Sequence, residues 1–303
     1  MTGPLNINLL QLCKIAVLTL FLCISTQGGA ESPGQSSEFQ KYLQGAEQGN
    51  AEAQNNLGVL YYSGEGVPQD YQEARKWFRK AAEQGNAIAQ HNLGLIYEQG
   101  QGVPKDSKEA EQWLRKAAEQ GYPKSPYYLG MIYKKGQGVL QDYKEAMKWY
   151  RKAAELGDVD AKNNLGLMYE QGQGVPVNYQ EAIKWYREAA GQGSAVAKNN
   201  LGGLYQKGRG VLQDYKEAEQ WYRKAADQGD LSAQYNLGMM FRHGHGVGQD
   251  NVEAHMWLNL AASKGEENAI KERDLLAKRM SADELTRAQE LARNWKPKLA
   301  TTF

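Results

Sequence analysis

The sequence predicts an all-α fold, a solenoid of six helix-turn-helix repeats of 36 residues. Three recurring features predict it. A Leu-Gly pair returns at Leu57, Leu93, Leu129, Leu165, Leu201 and Leu237. Tryptophan keeps the same step through Trp77, Trp113, Trp149, Trp185, Trp221 and Trp257. Gly-x-Gly-Val recurs from Gly64/Gly66/Val67 to Gly244/Gly246/Val247, and Ala-Ala from Ala81-Ala82 to Ala261-Ala262. A fixed period without insertions marks a stacked repeat, because one such unit cannot bury its apolar face alone. Residues 50–265 thus divide into units 50–85, 86–121, 122–157, 158–193, 194–229 and 230–265.

From the N-terminus, residues 1–30 carry one charge, Lys14, then the apolar run 15–24 and Ser25-Thr26-Gln27-Gly28-Gly29-Ala30. That order is a charged n-region, a short h-region and a small-residue cleavage site, a signal peptide with the cut expected after Ala30. Ten apolar residues are too few to span a hydrocarbon core of ~30 Å. Retention as an uncleaved anchor is the alternative, since Leu9, Leu10 and Leu12 extend the apolar character upstream. Leu22 before Cys23 is not small, which argues against a lipoprotein. Residues 31–37 read as a linker. Residues 38–49 read as a lone second helix, with Tyr42 near its start and Gly49 at its end.

Each repeat reads as two helices. In the first, Ala53, Leu57, Leu60 and Tyr61 fall three and four residues apart, one buried face of a helix near 51–63. Gly64-x-Gly66 ends it, since glycine accepts the left-handed conformation of a helix C-terminus. Asp70 and Glu73 then have the spacing of a capping box, recurring as Asp106/Glu109, Asp142/Glu145, Asn178/Glu181, Asp214/Glu217 and Asp250/Glu253. The second helix buries Ala74, Trp77, Phe78 and Ala81 and stops at Gly85, with Gly58 and the alanines allowing close helix approach. Residues 266–303 form the C-terminal cap and tail. Helices are expected over 267–280 and 282–294, with a capping box of Ser281 and Glu284 and with Trp295 as a late apolar plug.

The charge balance of 36 Lys+Arg against 35 Asp+Glu argues against a nucleic-acid binder working through bulk basicity. Both cysteines, Cys13 and Cys23, lie in the first thirty residues, which excludes a disulfide framework or cysteine metal site in the body. Cleavage after Ala30 would leave a neutral, cysteine-free exported protein without an integral membrane span, periplasmic or secreted.

The pattern Ala53-x-x-x-Leu57-Gly58-x-x-Tyr61-x-x-Gly64-x-Gly66-Val67, then Asp70, Ala74, Trp77, Ala81-Ala82 and Gly85, resembles the Sel-1-like repeat. That family is a relative of the tetratricopeptide repeat with a longer, glycine-rich inter-helix loop. The resemblance implies a right-handed α/α superhelix acting as a non-catalytic scaffold or adaptor for a protein or peptide partner. In exported bacterial proteins of this type it implies envelope maintenance, signalling or host interaction.

If the tetratricopeptide register transfers, the concave wall is lined by first-helix positions equivalent to 52, 55, 59 and 62. The expected partner-binding residues are Asn55, Val59 and Tyr62; His91, Leu95 and Glu98; and Tyr127, Met131 and Lys134. The second half adds Asn163, Leu167 and Glu170; Asn199 and Gln206; and Tyr235, Met239 and Arg242. These positions vary between copies while the Leu, Gly and Trp positions do not, as expected of a surface freed from packing. Leu and Met beside Tyr and amides suit an extended peptide or a helix laid in a groove. A cell-wall glycan is the rival partner, with Tyr127 and Tyr235 stacking on sugars.

Other features carry weaker chemistry. Pro123 and Pro126 enter the third repeat, where a shifted helix start is expected over a bend widening the groove. His243, His245 and His255 could hold a metal, but no acidic or thiol ligands complete a tetrahedron. The recurring Arg79, Arg115, Arg151, Arg187 and Arg223 read as a solvated outer face rather than an anion-binding ridge. No Ser-x-x-Lys, Gly-x-Ser-x-Gly or His-Glu-x-x-His occurs, so no catalytic residues, no metal and no cofactor are expected. A β-lactam- or muropeptide-acting enzyme is the remaining alternative, weakened because the cysteine pair of such relatives is missing from every repeat.

Overall fold

The structure, a computed structural model, describes residues 37–298, and the segment read as a signal peptide and nearly all of the expected linker lie outside them. The described residues form fifteen α-helices and no strand. Helix α1 (Ser37–Glu47) precedes the repeats. The first three repeats pair α2 (Ala51–Ser63) with α3 (Tyr71–Glu83), α4 (Ala87–Gln99) with α5 (Ser107–Glu119), and α6 (Ser125–Lys135) with α7 (Tyr143–Glu155). The last three pair α8 (Val159–Gln171) with α9 (Tyr179–Gly191), α10 (Ala195–Lys207) with α11 (Tyr215–Ala226), and α12 (Leu231–His243) with α13 (Asn251–Ala262). Helices α14 (Glu267–Ala277) and α15 (Ala282–Asn294) close the array.

One residue per repeat joins consecutive units. Gly85 adopts φ 90° and donates to the Ala82 carbonyl, while the Asn86 N–H reaches Ala81. This is the double bond of a Schellman stop. The side chain of the same Asn86 accepts from the Ala89 N–H and caps α4. Asn50, Asp158, Ser194 and Asp230 cap α2, α8, α10 and α12 in the same way. The third repeat has Tyr122 there and no side-chain cap on α6. Its helix therefore starts at Ser125 with Pro126 in the first turn, the shifted start expected, and is 11 residues long against 13 in the others.

The recurring capping boxes form only by half. Asp70 accepts from the N–H groups of Gln72 and Glu73 as an N-cap should. Its own N–H, however, donates to the Tyr61 carbonyl at 2.8 Å, so the side chain of Glu73 has no donor to return to. The same backbone bond recurs from Asp106 to Tyr97, Asp142 to Tyr133, Asn178 to Tyr169, Asp214 to Tyr205 and Asp250 to Phe241. It ties the end of each loop to the last turn of the first helix. The freed glutamates take other partners: Glu109, Glu217 and Glu253 accept from the indole N–H of Trp113, Trp221 and Trp257. Ser281 and Glu284 alone form the reciprocal box expected of them.

Within a repeat, the two helices meet at the glycine of Leu-Gly. A Cβ on Gly166 would lie 2.6 Å from the ring of Tyr186, so the large side chain of α9 seats directly on the α8 backbone. Between repeats, the second glycine of each loop rests on the preceding unit. Gly174 holds φ 80°, and a Cβ there would lie 2.8 Å from the backbone carbon of Tyr143. Leu57, Ala74 and Ala81 and their equivalents lose all solvent contact in this stack.

The ends imitate the repeat they terminate. Helix α1 packs Phe39 and Ala46 against Leu57, Leu60 and Trp77, as a lone second helix would. It begins one residue before the expected boundary. Helix α14 copies the start of a seventh unit, with Ala269 buried, but Arg273 and Asp274 stand where earlier repeats place Leu and Gly. It ends at Ala277 instead of 280, its last turn closed by the Lys278 N–H on Leu276. Trp295 meets Trp257 edge to face at 6.3 Å, the expected plug.

Candidate functional site

Consecutive first helices stand side by side and are joined by a ladder of amides. Asn92 donates to Asn55 at 3.1 Å, Asn200 to Asn163 at 3.0 Å and Asn236 to Asn199 at 2.9 Å. Each bond links a residue of one repeat to the following position in the next, 37 residues on. In the middle of the array aromatic groups replace the amides. His91 is buried, its Nδ1 3.0 Å from Ser125 Oγ and its ring against Tyr122 and Tyr128. Tyr127 packs on Tyr128 and Tyr150.

The expected concave residues therefore separate into two groups. Asn55, His91 and Glu98 are buried and do not present themselves to a ligand. Glu98 accepts from Ser107 Oγ at 2.6 Å and pairs with Lys105 at 3.0 Å. Their copy-to-copy variation reflects the neighbouring repeat each must pair with, rather than freedom from packing. Tyr127 is half-buried and packed on two neighbouring tyrosines, which leaves less of it for stacking on a sugar. Several others are half-buried and tied by their polar ends. Tyr62 donates to Gln99 at 3.3 Å, Lys134 to Asn164 at 3.2 Å, and Arg242 pairs with Glu272. Glu170 and Gln206 accept from the hydroxyls of Tyr186 and Tyr222.

What remains accessible is a line of apolar side chains along the first helices, with Ile88 and Val196 exposed at the start of α4 and α10. Val59, Leu95, Met131, Leu167 and Met239 occupy equivalent positions, all half-buried, with Tyr235 beside the last. The equivalent residue of the fifth repeat is Gly203. A Cβ there would meet only the Tyr222 hydroxyl at 3.7 Å, so the line is interrupted by a recess with a hydroxyl floor. The sequence showed this glycine, but spacing alone could not distinguish a recess from a filled gap.

Burial shifts the charged groups of this wall. Desolvation lowers the Lys134 ammonium from its ordinary value and raises the Asp160 carboxyl. The imidazole of His91 is pushed down to about 3 by burial, with Lys124 adding to the effect. It is neutral at physiological pH.

The arginines are exposed or half-buried on the outer face, as expected, and they also tie neighbouring repeats together. Arg79, Arg115, Arg151 and Arg187 each donate to a tyrosine hydroxyl of the next repeat, Tyr97, Tyr133, Tyr169 and Tyr205. Arg223 meets Phe241, which has no hydroxyl, and lies 5.4 Å from its ring centroid. His243 and His245 stack at 5.6 Å, with Tyr215 5.0 Å from His245, while His255 is buried in α13. Among the described residues no group of three or more His, Cys, Asp or Glu is placed to hold a metal ion. None of their helices is long and apolar enough to cross a membrane.

Paired helices in register, locked by recurring caps and presenting one variable line of side chains, define an α-solenoid repeat protein. Six consecutive segments, 51–86, 87–122, 123–158, 159–194, 195–230 and 231–266, match the Sel1 repeat. The chain belongs to the Sel1 repeat family, whose members are typically protein-interaction scaffolds. It is similar to c5321, a protective antigen of uropathogenic Escherichia coli strains displaying an SLR fold, with 39% identity and a TM-score of 0.79. That match covers 86% of this chain and 56% of the antigen, so the chain spans little more than half the antigen's length. A Sel1 repeat protein from Oxalobacter formigenes is 38% identical with a TM-score of 0.69, over 74% of this chain and 92% of that one. No curated protein matches the sequence.

Proposed function

We propose that the chain is an exported, non-catalytic scaffold that binds an extended peptide or a helix of a protein partner along the wall of first helices. The observation that carries this reading is the line Val59, Leu95, Met131, Leu167 and Met239, open at Gly203. Spaced apolar anchors suit a long ligand that engages several repeats with modest contacts, and methionine adapts to irregular partners. Several of the polar groups around that line are tied to one another and add shape and order. A bulky ligand side chain fits the recess over Gly203. Export follows from the order of charge, apolar run and small residues in 1–30, which suits a role in the envelope or in host contact.

The test is site-specific photo-crosslinking in cells, with the probe at Met131 or Met239 and a control probe at Lys80 on the second-helix wall. The expected result is one discrete adduct from the first-helix probes, reduced when Gly203→Leu fills the recess. Adducts from Lys80 alone would place the working surface on the opposite wall and overturn the reading. For export, mass spectrometry of the mature N-terminus checks for Glu31 as the first residue.

A further inference from the structure

The second-helix wall already holds a docked peptide, the chain's own tail. Residues 295–298 leave α15 in extended form, and Trp295 packs against Trp257 of the sixth repeat. A Cβ on Gly229 would lie 3.8 Å from both Trp295 and Pro297. Lys298 donates its backbone N–H to the Asp227 carbonyl at 2.7 Å and its ammonium to the Asp227 carboxylate at 2.8 Å. An aromatic ring, a proline and a lysine thus engage a tryptophan, a glycine turn and an acid at a helix end.

This site is built from repeating positions, and in most repeats a lysine occupies it. Lys80, Lys116 and Lys224 lie 4.0, 4.1 and 4.5 Å from the ring centroids of Trp77, Trp113 and Trp221. Lys152 lies 5.4 Å from Trp149 and also donates to the Ala118 carbonyl of the preceding repeat. In the sixth repeat the equivalent residue is Leu260, and there Trp295 of the tail meets the Trp257 ring while Lys298 pairs with Asp227. In the fourth repeat it is Glu188. Trp185 is half-buried with no indole partner, and the nearest cation over its ring, Lys184, is 5.9 Å away, at the outer limit of a cation–π contact. The position of Asp227 is held by exposed Glu155, followed by exposed Leu156, and a Cβ on Gly157 would meet nothing within 4 Å.

We propose that Trp185, Glu155, Leu156 and Glu188 form a docking site for an extended cationic segment of a partner protein. The segment carries an aromatic residue, a proline two residues on and a lysine after it, the chemistry of residues 295–298. The aromatic ring packs on Trp185, the proline lies over Gly157 and the lysine pairs with Glu155. Glu188, held at 3.8 Å from Lys162, does not oppose such a segment, whereas the lysine of the other repeats would. The site is on the wall opposite the proposed groove, so either can fail without the other.

The probe is a peptide of residues 294–298 with blocked ends, titrated into the full chain with nitrogen-15 in its tryptophans. The seven tryptophans give seven indole N–H signals, and that of Trp185 is assigned by Trp185→Phe. Saturable movement of the Trp185 signal is expected, with affinity reduced about tenfold by Glu188→Lys, the size of a lost favourable ring and charge environment. That variant installs the residue found in four other repeats but takes from buried Lys162 its partner 3.8 Å away, so Glu155→Lys, at an exposed position outside that pair, is the second variant and is expected to weaken binding as much. Equal affinity in Glu188→Lys, or movement of the Trp257 and Trp295 signals alone, overturns the proposal. Movement of the Trp185 signal with protein concentration and no peptide would assign the site to a second copy's tail and overturn the partner reading.

Discussion

His91 shows how a position expected on the surface becomes part of the core. Its equivalents Asn55, Asn163 and Asn199 pair with an amide of the next repeat, but the next repeat offers Tyr128 and the uncapped start of α6. An imidazole fills that space and finds Ser125 for its Nδ1. Burial then holds it neutral, with a value of about 3 against 6.5 in the unfolded chain. Below pH 6.5 the unfolded chain binds a proton that the folded one does not, so this contribution to stability is complete above 6.5 and is lost as pH falls toward 3. Ser125, Tyr122, Tyr128 and the Lys124 ammonium face the ring, and none of them offsets that loss. Urea unfolding at pH 7 and pH 4.5 checks this: His91→Asn is expected to lose less stability on acidification than the wild type. Equal losses would mean that the imidazole is not held neutral.

At the scale of the element, the interface between repeats is stitched by side chains whose partners lie in the next unit. Tyr133 is the most connected of them, accepting from Arg115 at 2.7 Å and donating to Glu111 at 2.8 Å. Tyr133→Phe keeps the ring and removes both bonds, and is expected to cost about 1–2 kcal/mol in equilibrium unfolding. The loss should appear as a lower midpoint with an unchanged denaturant slope. Both members of this pair were visible in the sequence as 36-residue repeats. Their partnership was not, because the arginine was read within its own helix and the tyrosine within the next repeat. The half-formed capping boxes have a related cause. The spacing of Asp70 and Glu73 specifies a side-chain cap, but the donor it needs is taken by Tyr61 through a loop closure that no local pattern encodes.

At the scale of the molecule, each repeat contacts its neighbours and little else, so stability is a sum of units and interfaces. Excision of residues 159–194 removes one unit in register and joins Asp158 to Ala195, with an acidic N-cap taking the place of Ser194. The shortened chain is expected to stay helical and unfold cooperatively, with a denaturant slope smaller by roughly a sixth. Excision of the 18 residues 177–194 would remove α9, join a first helix to a first helix and expose the Leu-Gly face. Circular dichroism with urea titration distinguishes the two. The ends obey the same logic: Arg273 and Asp274 in place of Leu and Gly stop further stacking, and α15 with Trp295 covers what α13 leaves open.

The sequence by itself determined the period, the number of units, the helix pairs and the residues of the core. Those follow from local signals, namely apolar spacing, glycines where a left-handed turn is required and acids where helices begin. It also marked the third repeat as irregular, since proline is tolerated only in the first turn of a helix. Only the tertiary structure decided which variable residues face outward. Asn55, His91 and Glu98 vary like surface residues yet are buried, because each answers to a partner roughly one helix or one repeat away. The same holds for the tail: Trp295 was legible as a plug, but the bond from Lys298 to Asp227 joins residues 71 apart. A repeat's own pattern records what it packs within itself; what it offers to others is settled when the units stack.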